Sequence, residues 1–172
     1  MSATQTPISS RAPEGFVGGS ALSAGWLVLA IDDLRLALPQ TDVRQVTLAS
    51  DLEGVEGDES RGLRRLKRPR GKPWLACHLD HNLRPERSPG ARRLCVFFGA
   101  SDGVLGLLCT HTWLLAAASD LRVEPVPRCL IEGPTPIIGM AFFQEAMAVV
   151  SDGRRLGDYL TSLRVSVDGD SL

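Results

Sequence analysis

The chain has no C-x-x-C pair: its 4 cysteines, Cys77, Cys95, Cys109 and Cys129, lie singly along 172 residues. That spacing argues against a zinc knuckle or a redox dithiol. With no metal or disulfide framework in the pattern, all four read as buried small apolar residues of a reducing compartment. Long apolar runs are also lacking. The longest, from Val104 to Ala118, is broken by Thr110, His111 and Thr112 and falls short of the roughly 20 residues a bilayer core requires, so no transmembrane span is expected. The opening residues MSATQTPISSRAPEG hold neither the apolar stretch of a secretory signal nor an Arg-rich amphipathic pattern, so the protein is expected to be cytoplasmic, without direct membrane insertion. An excess of one charge is missing as well, since 19 Lys+Arg face 20 Asp+Glu, and nothing global points to nucleic acid. Glycine is plentiful at 17 residues, yet no strand-to-helix G-x-G-x-x-G and no G-x-x-x-x-G-K-[ST] occurs. Phosphate cradling has no basis, and no cofactor is expected.

What the chain does have is a 44% hydrophobic and 23% charged composition, enough for a core in one domain or in two small, tightly joined ones. Residues 1–22, with Pro7, Pro13, Gly15, Gly18 and Gly19 among Ser and Thr, read as a flexible tail. From Trp26, WLVLAI meets LRLALP across Asp32-Asp33, the pattern of a hairpin. TDVRQVTLA follows Pro39 and fits a strand entered through a turn or helical kink. The segment 50–72 then changes character: Asp51, Glu53, Glu56, Asp58 and Glu59 precede Arg61, Arg64, Arg65, Lys67, Arg68, Arg70 and Lys72. An acidic block followed by a basic one is expected to form a solvated loop, not a strand. Strands recur in PWLACHL, RRLCVFF, VLGLLCT, TWLLAAA, PIIGMAFFQ and AMAVV, separated by polar turns, the last two joined near Gln144-Glu145. Such spacing, without a long 3.6-residue period, predicts an all-β barrel or sandwich. PWLACHL leads into DHNL as AMAVV leads into SDGRRLGDYL, an internal similarity that suggests two small barrels of related design, closed by a short helix over about Arg154 to Leu163.

Three motifs carry possible chemistry. Gly99-Ala100-Ser101-Asp102-Gly103 fits the G-x-S-x-G nucleophile elbow, which needs a strand before it and a helix after it. An apolar strand pattern follows instead, and Asp-Gly favours a hairpin tip. Cys77, His78 and His81 give C-H-x-x-H, but strand alternation sends Cys77 and His78 to opposite faces, so no metal site is expected. His111 reads as a strand residue with a satisfied partner. The basic run RGLRRLKRPRGK has the charge to bind phosphates but no interleaved aromatic for base stacking. A small β-barrel serine hydrolase using Ser101 with His111, and a nucleic-acid binder using residues 61–72, remain the alternatives from other classes.

The order of hairpin, Ala37-Leu38-Pro39, Val43-Arg44-Gln45-Val46, charged loop, Arg70-Gly71, Pro73-Trp74-Leu75 with His78-Leu79, and the Gly139 segment IIGMAFFQEAMAVVSDGRRLGDYL resembles the CheW-like domain of chemotaxis coupling proteins. In that family A-L-P precedes V-R-E-V, and L-R-G precedes a strand ending P-V-x-D-L. The likeness spans roughly Trp26 to Leu163. It implies a CheW-like domain over 23–163 with a C-terminal tail at 164–172, built as two intertwined SH3-like five-stranded β-barrels with short helical turns. It also implies a non-enzymatic scaffold with no catalytic residues, coupling a methyl-accepting chemoreceptor to a CheA-like histidine kinase in a two-component pathway for flagellar or twitching motility. Matched positions nominate Val43, Arg44, Val46 and Arg70 as partner-binding residues, with Leu105 and Leu107 in the second barrel. The basic LRRLKRP stands where the family has G-V-I-N-L, so the partner is expected to be chosen in the Asp51 to Lys72 segment.

Overall fold

The computed structural model describes residues 25–54, 62–66, 74–86, 91–100, 103–127, 129 and 135–168. Apolar runs with short polar links dictate the first element. Strands β1 (Trp26–Ile31) and β2 (Leu34–Pro39) pair antiparallel from Trp26↔Pro39 to Ile31↔Leu34. The link Asp32-Asp33 turns through a positive φ of 52° at Asp32, a conformation aspartate tolerates better than most residues. A single 3-10 turn, Gln40–Asp42, leads into β3 (Val43–Leu48), as the kink after Pro39 predicts. Then follow β4 (Leu63–Leu66), β5 (Trp74–Cys77), β6 (Leu94–Ala100), β7 (Gly103–Cys109), β8 (His111–Leu115), β9 (Val123–Pro125), β10 (Gly139–Phe143) and β11 (Ala146–Val150). Helix α1, Gly153–Asp168, closes the order. The link between β10 and β11 has φ of 49° at Gln144 and 63° at Glu145, the two positive values a type I′ hairpin turn demands.

The strands form two sheets, ordered β8-β1-β2-β11-β10-β9 and β3-β6-β7-β5-β4. The N-terminal hairpin therefore completes the sheet that the C-terminal strands build, while β3 to β7 make the other: the two halves are intertwined as the resemblance implies. One sheet has the five strands expected and the other has six, because β9 adds an edge strand that a three-residue segment ending in Pro125 does not announce. Each sheet contains one parallel pair, β2 with β11 and β5 with β7.

The largest core lies between the sheets, joining Leu29, Ile31, Leu36 and Leu38 to Val96, Phe98 and Leu107, with Leu156 and Leu160 of α1 inserted. A satellite core lies around Val28, Ala37, Ala141 and Val150, and another around Cys95, Phe97, Leu66 and Ala76. Central strands thus bury both faces, so WLVLAI and LCVFF read as continuous apolar runs instead of alternating ones. Leu107 is fully buried on β7. Leu107→Ala is expected to cost about 2–5 kcal/mol, read as a lowered urea midpoint.

Three expectations are corrected. The 50–72 segment is not all loop: Leu63 to Leu66 pair with Cys77 to Trp74, and Leu66 is buried. The strand sits at a sheet edge, where charged residues are the ordinary guard against stray pairing. Helix α1 continues through Asp168, past the tail boundary placed at 164. Cys129 is exposed, unlike the other three cysteines. The tail at 1–22 lies outside the described residues. Among the described residues, no helix is long and apolar enough to cross a membrane.

One polar contact ties the sheets together. Arg92, on the approach to β6, has a side chain only 1% exposed and donates to both carboxylate oxygens of Asp32 at 2.6 Å and to the Leu79 carbonyl at 3.1 Å. Asp32 belongs to the β1–β2 turn and Leu79 to the segment after β5, so the bidentate pair clasps one sheet to the other.

Candidate partner-binding site

Among the described residues β3 is an edge strand, paired only with β6. Its register shifts between Val43↔Phe98 and Gln45↔Phe97, leaving Arg44 as the extra residue of a bulge. Bulges re-aim side chains at edges and beside functional sites. Here the bulge lays the Arg44 guanidinium against Gly99: a Cβ on that glycine would come within 3.3 Å of Arg44 Nε. Gly99→Val is therefore expected to displace Arg44 and weaken whatever binds it, while the helical far-UV signal is kept.

Thr41, Asp42, Arg44, Gly99, Asp152 and Arg154 line a groove of about 550 Å³ where the start of β3, the end of β6 and the start of α1 converge. The two acids are engaged by backbone. Asp42 Oδ2 accepts from Gly153 N at 2.8 Å, and Asp152 Oδ1 accepts from Arg155 N at 2.7 Å, so both complement the positive end of α1. Gly153 is needed for this approach, because a Cβ there would stand 2.9 Å from the Gly99 carbonyl. The cations are freer. Arg154 lies 4.0 Å from Asp158 with both side chains mostly exposed, and Arg44 is exposed and makes no ion pair among the described residues. The groove therefore offers guanidinium groups to an incoming carboxylate.

Beyond Arg44 the same strand exposes Val46 (42%) and Leu48 (45%), and no residue of β3 is buried. Val43 is half-buried and packs against the main core. Of the residues nominated from sequence, Val43, Arg44 and Val46 are thus brought together on one edge strand. Arg70 lies outside the described residues. Leu105, 8% exposed, and Leu107, fully buried, belong to the main core. They help hold the sheets together, their side chains being turned into the core. Asp42, Gly99, Asp152 and Arg154 were not nominated. A D-G step before RRLGDYL marks Asp152 as a helix cap, but its meeting with Asp42 and Gly99 depends on tertiary folding.

The elbow reading of Gly99 to Gly103 loses its required helix, since β7 begins at Gly103, and Ser101 itself is outside the described residues. His111 is exposed on β8 of the other sheet, 6.1 Å from the Trp113 ring. Cys77 faces the core, its Sγ donating to the Gly106 carbonyl at 3.2 Å. Among the described residues no group of three or more His, Cys, Asp and Glu could hold a metal ion.

Burial pushes the Cys77 and Cys109 thiols up from 9.0 to about 12, in Cys109 against the opposing pull of Arg92, and it raises Cys95 as well, with Cys77 and Cys109 adding to the rise. Protonated and enclosed thiols are poor nucleophiles. One fast-reacting thiol, Cys129, is expected in a native Ellman titration, with three more appearing on unfolding. The same shift has a pH consequence. Folded thiols keep their protons where unfolded ones lose them, so their stabilisation is complete below pH 9 and disappears as pH rises towards 12. Urea midpoints are expected to fall steadily over that alkaline window.

No protein-family model matches the chain, and no curated protein matches it in sequence. Among solved structures it is similar to the scaffolding protein TtCheW from Thermoanaerobacter tengcongensis, with a TM-score of 0.57 and 14% identity over 78% of this chain and 92% of that one. At that identity the likeness speaks for architecture alone, and the architecture it establishes is the one the intertwined sheets already display: the chain has a divergent CheW-like fold.

Proposed function

We propose that the chain is a non-enzymatic adaptor of a chemotaxis-type signalling pathway, joining a chemoreceptor to a CheA-like histidine kinase in the cytoplasm at membrane-associated receptor arrays. The observation that carries the reading is the β3 edge: an exposed arginine set by a bulge, beside exposed Val46 and Leu48, on a fold like that of a scaffolding protein. A cation flanked by apolar side chains is the make-up of a protein–protein hot spot, where an arginine and a few apolar anchors dominate an interface of about 800 Å² per partner. Arg70, beside Gly71, is proposed as a second arginine of the adaptor. Partner choice is proposed to lie in the Asp51 to Lys72 segment, and flagellar or twitching motility is the proposed output.

The test is co-purification of the tagged chain with the kinase and receptors of its own cell, comparing wild type with Arg70→Glu. Retention of both partners by the wild type and loss of one by the variant is expected. Retention of neither by the wild type would end the adaptor reading.

A further inference from the structure

The backbone of β3 shows more than its side chains do. Residues of an antiparallel pair alternate between those that exchange hydrogen bonds with the neighbour and those whose N–H and C=O point away. Ala49 N donates to the Arg93 carbonyl at 2.8 Å, in the register that also pairs Leu48↔Leu94, Thr47↔Cys95, Val46↔Val96 and Gln45↔Phe97. Gln45 and Thr47 therefore bond to β6. Val46 and Leu48 turn their N–H and C=O groups to the open side, where no strand lies among the described residues. They are the exposed apolar residues of this strand, and Arg44 stands at the end of the row with no ion pair among the described residues.

A free edge is a template for pairing. We propose that the partner docks on β3 as an added strand: an extended acidic segment whose backbone pairs with Val46 and Leu48, whose apolar side chains cover theirs, and whose carboxylate meets Arg44. Charge complementarity selects this occupant. Arg44 is the groove cation with no ion pair among the described residues and Arg154 has only an exposed one, while Asp42 and Asp152 are held by the helix amides. An acidic strand adds the missing anion, and a basic one would leave Arg44 facing a like charge. In strand addition main-chain bonds supply affinity and alternate side chains supply specificity. The inference rests on the adaptor reading and specifies how the partner is held.

Proline separates backbone from side chain here. Val46→Pro and Leu48→Pro remove outward N–H groups and leave the β6 ladder complete, whereas Thr47→Pro removes an inward one and is expected to unfold the strand. The probe is the cell's own CheA-like kinase. Val46→Pro is expected to bind it about tenfold more weakly than Val46→Ala, since both shorten the side chain but only proline deletes a donor. Amide exchange provides a second readout that needs no variant. Val46 and Leu48 should exchange fast in the free chain and at least about tenfold more slowly in the complex, with Gln45 and Thr47 protected in both. Equal binding by the proline and alanine variants, unchanged exchange in the complex, or protection already present in the free chain would each overturn strand addition while leaving the adaptor reading intact. Failure of the wild type to bind kinase or receptor would remove both.

Discussion

Replacing Asp32 with alanine is expected to destabilise the chain by about 3 kcal/mol, with a clear fall in the urea midpoint and no change in slope. The reason lies with its partner. The Arg92 side chain is 1% exposed, and Asp32 accepts from two of its nitrogens at 2.6 Å. Without that carboxylate a guanidinium stays in the protein with only the Leu79 carbonyl at 3.1 Å and Glu86 at 3.8 Å to answer it, and its Nε is already without a partner. Stranding a buried charge costs roughly 3–5 kcal/mol. The lower figure applies because the Asp32 side chain is 46% exposed and water screens part of the pair. Arg92→Met removes the charge together with its need, and it is expected to cost about 1 kcal/mol. An aspartate variant less stable than the methionine variant is the ordering that the clasp demands. The reverse ordering would show that Arg92 stabilises by packing its stem.

Arg44→Glu is expected to weaken kinase binding about 100-fold while leaving the urea midpoint within about 0.5 kcal/mol of wild type. Both parts come from one geometry. The guanidinium is exposed, lies over Gly99 and has no ion pair among the described residues, so the folded chain has little to lose. A glutamate there would stand in a groove that already holds Asp42 and Asp152 and would repel the carboxylate that the arginine receives. About 2.7 kcal/mol, a hundredfold, suits the loss of a charged interface anchor. Raising the salt should weaken wild-type binding and not that of the variant, since the long-range attraction is screened only where it exists.

Much of the architecture is legible in the chain because local signals agree. The hairpin at Asp32-Asp33, the kink after Pro39, the turn at Gln144-Glu145 and the helix after Asp152 are each announced by polar residues between apolar runs. The misreadings have physical causes. Arg64 and Arg65 mask a strand whose pairing is decided by β5 and by burial of Leu66. Three-residue β9 takes its identity from β10 alone. Leu105 and Leu107 look available by position, but their side chains are buried in the core between the sheets. The groove was least legible. Its walls come from residues 41, 42, 44, 99, 152 and 154, and only tertiary contact brings the Asp42 carboxylate to the Gly153 amide. The Arg92–Asp32 clasp spans 60 positions and is likewise silent in sequence.

The central claim is that the β3 edge is a partner-binding surface, and the most direct measurement is a calorimetric titration of the folded chain with the purified CheA-like kinase. Saturable binding by the wild type, weakened about 100-fold by Arg44→Glu and unaltered by a control substitution at exposed Arg122, just before β9 of the other sheet, is the expected result. Wild-type binding that Arg44→Glu leaves unchanged would contradict it.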